Sequence, residues 1–341
     1  MWGLCVMNTS DHEGPVFVSS EATQAVFDWH QSITAIQVAY GAPLDQSALP
    51  RRSVANGAGA WLRTLPAIPA TGRYFGAKLM GMAPGASAPG VEYVIVLFDR
   101  ETSRIAAFVD GMLVTGYRTA ATSAAALDRL AASGPCSLGV LGSGLEAAMH
   151  VRAIASVRPL ERVAVFSPTP ERRAALAAML SDELGVATEA VGDAHAAVEG
   201  SDVVVAAARS HGERPILFGD WLAPGTTVVS IGSTIPQQRE IDVSVVERCD
   251  LIVCDALDEV LDETGDMIAA RDAGIAFRDK SISLTDLVTG AASDRVGAAS
   301  MPMFKSVGGG LQDVVVAALV VDEARRRGLS TPLPIEFQTK H

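Results

Sequence analysis

Aromatic residues make up only 5% of this 341-residue chain. So few rings give no stacking platform for nucleic-acid bases. An excess of cations is also missing. The formal net charge is −12, so the electrostatic term toward a phosphate backbone or an anionic membrane is repulsive. Neither nucleic acid nor membrane is expected as a partner. No apolar run reaches the roughly 18 residues a bilayer span needs, and residues 1–11 lack the basic start and apolar stretch of a secretion signal. The 4 cysteines, Cys5, Cys136, Cys249 and Cys254, form no C-x-x-C pair and have no histidine at metal-ligand spacing. They read as reduced, mostly buried thiols of a cytoplasmic protein. There is no internal repeat and no low-complexity block. What the chain has is length for two domains and 49% hydrophobic residues, enough for a core without disulfides or a structural metal.

The first third reads as mainly β after one helix. A short strand is expected at 16–19 and a helix over 22–40, capped by Ser19 or Ser20. Residues 41–60 read as loop with a possible strand near Val54; strands follow at 73–80, 92–98 and 105–110. The run 93–98 is apolar on both faces, which suits a central strand. An Ala/Leu-rich helix is expected over 119–132, and beyond it strands and helices alternate. The strands are expected at 137–141, 162–166, 186–190, 202–206, 227–231 and 251–254, with helices at 145–156, 170–184, 194–199 and 312–327. Such alternation implies a mostly parallel sheet covered on both faces. The expected class is α/β: a Rossmann domain, 119–305, inserted in a mainly β (α+β) substrate and dimerisation domain formed by 1–118 and 306–341.

The strongest local motif is Gly142-Ser143-Gly144-Leu145-Glu146-Ala147, between an apolar strand and a helix. That context suits a dinucleotide pyrophosphate: Gly142 for the tight turn, Gly144 for close approach, Ala147 for helix packing, and a free helix N-terminus for the anion. At the end of the next strand a carboxylate that would accept from an NAD ribose is missing. Ser167, Pro168 and Thr169 stand there, with Arg172 and Arg173 one turn on. Hydroxyls beside guanidinium groups suit a 2′-phosphate, so NADP(H) is expected in preference to NAD(H); the bland alternative is that both arginines are solvated helix charges.

These motifs sit among others that together resemble the ornithine cyclodeaminase/mu-crystallin family: Pro50-Arg51-Arg52-Ser53, Gly76-Ala77-Lys78-Leu79, Arg118-Thr119-Ala120-Ala121-Thr122-Ser123-Ala124, Pro215-Ile216-Leu217-Phe218-Gly219-Asp220-Trp221, Ile231-Gly232-Ser233-Thr234-Ile235-Pro236, Arg239-Glu240-Ile241 and Phe304-Lys305-Ser306-Val307-Gly308. The resemblance implies a homodimer with an inserted Rossmann domain, and hydride transfer between a nicotinamide and the Cα–N bond of an amino acid or its imine. It places the substrate-site arginine at Arg52 (Arg51 after a one-residue shift), the active-site lysine at Lys78, and the arginine opening the helix block, near the pyrophosphate, at Arg118. A carboxylate is met by a guanidinium in bidentate fashion; Lys78 is a proton donor or a second carboxylate partner. Thr119, Ala208, Ile231 and Ser306 join the glycine turn and the 167–173 loop around the cofactor, and Val307 faces the substrate.

There are departures. Thr234 stands where cyclodeaminases carry an aspartate, and threonine is no general base at neutral pH. Its expected role is a hydrogen bond to substrate or an ordered water. Gly90 replaces a hydroxyl near the nicotinamide, and Arg209 is a candidate for a second substrate carboxylate. The expectation is an NAD(P)H-dependent reductase of an α-imino acid, or the reverse dehydrogenase. A cyclodeaminase using another base, or a non-catalytic dinucleotide-binding protein, is the alternative. His150 is expected as a surface or packing residue, His195 and His211 as loop residues, and the acidic run 255–266 as a solvated helix face.

Overall fold

The computed structural model describes residues 14–43, 45–83, 90–208 and 212–338, which leaves Cys5, Arg209 and His211 outside the described residues. Two sheets organise them. The first is built from β1 (Val16–Val18), β2 (Ser53–Gly57), β3 (Ala60–Ala67), β4 (Tyr74–Met82), β5 (Glu92–Asp99), β6 (Ile105–Asp110) and, from the far end of the chain, β15 (Thr331–Pro332). Their order is β15-β1-β6-β5-β4-β3-β2, antiparallel except for the β1–β6 pair. The second sheet holds β7 (Cys136–Leu141), β8 (Leu160–Phe166), β9 (Ala187–Ala190), β10 (Val203–Ala206), β11 (Thr227–Ser230), β12 (Leu251–Cys254), β13 (Ser281–Ser283) and β14 (Pro302–Lys305). Its order is β13-β12-β14-β11-β10-β7-β8-β9, all parallel. The chain winds outward in both directions from the β7–β10 pair, which makes a ligand crevice at the carboxyl ends of those strands. The α/β class, with a Rossmann-like sheet beside a mainly antiparallel one, is as expected.

Helices are α1 (Ser20–Val26), α2 (Trp29–Gly41), α3 (Gly111–Leu130), α4 (Leu145–Val157), α5 (Pro170–Leu184), α6 (Ala194–Val198), α7 (Val243–Arg248), α8 (Leu257–Glu263), α9 (Gly265–Asp272), α10 (Leu284–Thr289), α11 (Ser293–Ala298) and α12 (Gly310–Arg326). The single helix expected over 22–40 is two: Asp28 stops α1 and starts α2, its Oδ1 accepting from Gln31 N at 2.8 Å. The helix expected from residue 119 begins at Gly111, because Asp110 caps it by accepting from Met112 N at 3.0 Å. Residues 118 and 119, on either side of the expected domain junction, therefore lie inside one helix. The β2–β3 hairpin, of which only the region near Val54 was legible, places Arg63 and Leu65 on the site.

Buried Val, Leu and Ile fill β7, β10, β11 and β12 on both faces, as a doubly covered parallel sheet requires. β5 is central but alternates, with Ile95 and Leu97 fully buried and their neighbours less so. One contiguous apolar core joins the sheets: Val18, Ile95 and Val109 on one side and Leu138, Val140 and Val229 on the other meet through the alanines of α3 and through Val314, Ala317 and Val321 of α12. Small side chains let α3 lie close to its neighbours; Gly116 leaves room for Met149 Sδ. Cys136, Cys249 and Cys254 are free and buried, as expected.

Candidate active site

At the carboxyl end of β7 the polar surface is backbone. Gly142 has φ +139°, and a Cβ there would lie 2.7 Å from Ala207 O, so glycine is required on two counts. Its N–H donates to Phe166 O at 2.8 Å, which starts the Ser167 loop beside the turn. Gly144 N-caps α4, no side chain caps that first turn, and a Cβ on Gly144 would meet no protein atom within 4 Å. An open space in front of uncapped amides and a helix dipole fits a phosphate group. Ser143 and Leu145 flank it. Ser167 is buried, Arg173 Nη1 donates to Ser167 O at 2.7 Å, and Arg172 is exposed one position before it. The Thr169 hydroxyl leaves the first turn of α5 uncapped.

A cavity of about 350 Å³ opens between this edge and the antiparallel sheet. Its sheet wall follows from period-two alternation: Arg63 faces Met80 across the β3–β4 ladder, Met80 faces Tyr93 on β5, and Leu65 faces Lys78 in the next row. The opposite rim holds Thr119, Glu146, Ala208, Ile231, Gly232, Thr234, Ser306 and Val307. The structure thus brings Arg52, Lys78, Arg118, Thr119, Glu146, Ala208, Ile231, Thr234, Ser306 and Val307 to one cavity. The residues 142–145 and 167–172 stand outside its lining, on the adjoining edge.

Buried charge organises the sheet side. Lys78 is 1% exposed; its Nζ donates to Asp313 Oδ1 at 2.9 Å and to Thr115 Oγ1 at 3.3 Å. The same Asp313 oxygen accepts from Arg118 Nε at 2.9 Å. Burial pulls the lysine down to about 8, against the opposing pull of Asp313. Arg118 Nη1 donates to Gln312 Oε1 (2.9 Å), whose amide nitrogen donates to Asp255 Oδ2 (2.9 Å) and to the Tyr40 hydroxyl (2.8 Å). A Cβ on Gly308 would collide with the Arg118 guanidinium. Of the adjacent arginines, Arg52 is the inward one. Its Nε donates to Glu259 Oε2 at 2.5 Å and its Nη2 to Val307 O and Gly308 O at 3.1 and 3.0 Å, while Arg51 is half exposed against Glu263. Desolvation pushes Glu146 up to about 7, and its buried Oε2 has no hydrogen-bond partner among the described residues. The Thr234 hydroxyl donates to Gln238 Oε1 at 2.9 Å.

One expectation needs correction. The acidic run is not a solvated face throughout. Asp255 is buried and accepts from Ser306 Oγ, Val307 N and Gly308 N; Asp266 is buried, accepts from Glu240 N and pairs with Lys305 at 2.8 Å. Helix α8 ends at Glu263, and Gly265 opens α9, so the run is split and its two ends turn inward; Asp258 and Asp262 face solvent. His150 takes the packing role and not the surface one: it is fully buried, 3.0 Å from Ser123 Oγ and 2.7 Å from Glu146 O, and burial lowers it to about 4, so it is neutral. Sequence reasoning missed Arg63, Asp255, Gln312 and Asp313. It also missed what Glu240 does. That carboxylate accepts from Ala208 N, Ser230 Oγ, Ile231 N and Gly232 N, tying together the ends of β10 and β11. A lone Asp in the first turn of the apolar α12 was the available signal for Asp313. Among the described residues there is no metal-holding cluster of His, Cys, Asp and Glu, and no helix is long and apolar enough to cross a membrane.

Known proteins resemble this chain in sequence and in fold. An iminosuccinate reductase of Paracoccus denitrificans is 33% identical over 241 residues, 71% of this chain and 73% of that protein. A Δ1-pyrroline-2-carboxylate reductase of Thermococcus litoralis, solved with NADH and L-proline, superposes with a TM-score of 0.85 at 25% identity, covering 93% of this chain and 100% of the other. The P. denitrificans iminosuccinate reductase solved with NAD+ gives 0.85 at 26% identity over 94% and 100%. A sequence model of one family matches residues 46–328. The chain belongs to the ornithine cyclodeaminase/mu-crystallin family.

Proposed function

We propose that this chain is an NAD(P)H-dependent oxidoreductase that reduces the C=N bond of an α-imino acid to give an α-amino acid, or runs the same hydride transfer in reverse. The observation that carries the reading is the single cavity with a buried Lys–Asp–Arg cluster on one wall and the carboxyl edge of a dinucleotide-type sheet on the other. Both relatives described above are named as reductases of imino acids. When bound, the nicotinamide supplies the hydride; the protein supplies orientation and charge.

In this reading Arg52 and Arg118 hold the substrate carboxylate. Each keeps a guanidinium nitrogen, Nη1 in Arg52 and Nη2 in Arg118, with no hydrogen-bond partner among the described residues. Lys78, brought to about 8, is poised near the operating pH to keep the substrate nitrogen protonated. Thr234 and Val307 complete the substrate side. Arg118, placed beside Asp313, is assigned to the seam between substrate and cofactor and not to the pyrophosphate alone. Ser143, Gly144, Leu145 and Glu146 face the pyrophosphate side, with Thr119, Ala208, Ile231 and Ser306 along the cavity. Residues 119–305 carry the cofactor side and 1–118 with 306–341 the substrate and dimerisation side, the two sides sharing α3. The protein works as a homodimer in the cytoplasm. The buried Ser167 and exposed Arg172 favour NADP(H).

The test is oxidation of NADPH and NADH by purified protein with pyrroline-2-carboxylate, piperideine-2-carboxylate and imines of 2-oxo acids. Turnover that Lys78→Met lowers roughly 10²- to 10⁴-fold is expected. Turnover of none of these imines sinks the reductase. NADH used as efficiently as NADPH sinks the cofactor preference.

A further inference from the structure

Among the described residues, four cations line the cavity: Arg52, Arg63, Lys78 and Arg118. Three of them pair with carboxylates, Arg52 with Glu259 and both Lys78 and Arg118 with Asp313. Arg63 pairs with none among the described residues. Its guanidinium carbon stands 5.3 Å from the centre of the Trp61 ring, and its Nε is buried without a hydrogen-bond partner. A half-buried guanidinium beside a second one, with no ion pair of its own and only the more distant charge of Glu259 to favour it, carries a desolvation cost that is compensated only in part. Burial comes first and Arg52 second in lowering its proton affinity. Two carboxylates against four cations leave the walls with a surplus of two positive charges, and Glu146, raised to about 7, offsets this only in part at neutral pH. A substrate carrying one carboxylate accounts for one of the two.

The sheet register fixes where the second belongs. Arg63 faces Met80, and Lys78 faces Leu65, so Arg63 and Lys78 are diagonal neighbours on one face, with Cα atoms about 7–8 Å apart. We propose that Arg63 receives a second acidic group of the substrate, so that the favoured imine is that of a 2-oxo dicarboxylic acid. This rests on the reductase reading above and narrows its substrate class. A guanidinium fork suits a carboxylate better than an ammonium does, and the same charge repels imines that carry a side-chain amine.

Imines formed in place from ammonia and oxaloacetate, 2-oxoglutarate or pyruvate test it. The natural sequence is expected to favour a dicarboxylic imine over the pyruvate imine by about tenfold or more in kcat/KM. Arg63→Gln is expected to lose about 10- to 100-fold on the dicarboxylic imine, mainly through KM, with little change on the pyruvate imine; Arg63→Lys recovers part. An equal fall on both imines, or a preference for pyruvate, overturns the proposal. A second arm needs no turnover: titration calorimetry of L-aspartate and L-alanine with NADP+ present. Tighter aspartate binding that Arg63→Gln abolishes supports the acid site even where no imine is reduced, a result that removes only the reductase. Imine turnover without acid selectivity removes only the acid site. Binding of neither amino acid overturns it as well.

Discussion

At the carboxyl end of β7, on the edge that adjoins the cavity, the polar surface is main chain. Gly142 and Gly144 expose amides and a helix end, and the nearest carboxylate, Glu146, is one residue into the helix. On the antiparallel side it is side chains, held by partners far off in sequence: Lys78 meets Asp313 across 235 positions and Arg52 meets Glu259 across 207. The first kind of surface is written in consecutive residues and tolerates little change of shape. The second is assembled by the fold and tolerates little change of charge.

If that contrast is right, the largest effect comes from Asp313→Ala. It strands Lys78 and Arg118 as buried cations without their shared counter-ion, which should cost about 3–5 kcal/mol of stability, read by urea unfolding, together with most of the activity. A loss under about 1 kcal/mol would show the cluster to be as weak as a surface pair. Gly144→Val should act oppositely. The added side chain meets no protein atom at its Cβ, so stability is nearly unchanged, while the KM for the nicotinamide cofactor rises about 10- to 100-fold, some 1.4–2.8 kcal/mol. Equal damage to stability and KM would erase the distinction between shape and charge. The smallest effect is in pH. Lys78 must carry its proton to act, and burial has lowered it to about 8. Turnover should therefore hold level below that pH and fall with a slope of about tenfold per unit above it. Lys78→Met should abolish that limb while leaving the cofactor's binding in place.

The same contrast explains what could be read from the chain. The alternating strands of 137–254 and the glycine turn are local patterns, and β12 and β6 fall on the expected residues. Lys78 and Arg118, which line the cavity, were singled out because they sit in recognisable blocks. Arg63 was not singled out, since the face it occupies depends on the β3–β4 register. Asp255 sat in a run of acids whose inward turn depends on Ser306, Val307 and Gly308, some 50 positions away. The split at Asp28 was written locally, in a capping residue that the expected helix over 22–40 ran through.

Helix α3 touches both kinds of surface. Thr115 and Arg118 stand in the cationic wall, and Ser123, further along the same 20-residue helix, holds His150 of the helix that follows the glycine turn. At 1.5 Å per residue it is an unbroken strut about 30 Å long. A joint between the two sheets cannot sit at residue 118, because bending there means breaking helical hydrogen bonds. The gap across which a hydride must pass is thus set like the jaw of a fixed spanner, by the length and stiffness of one beam, and calorimetry should find the two sheets melting as one unit.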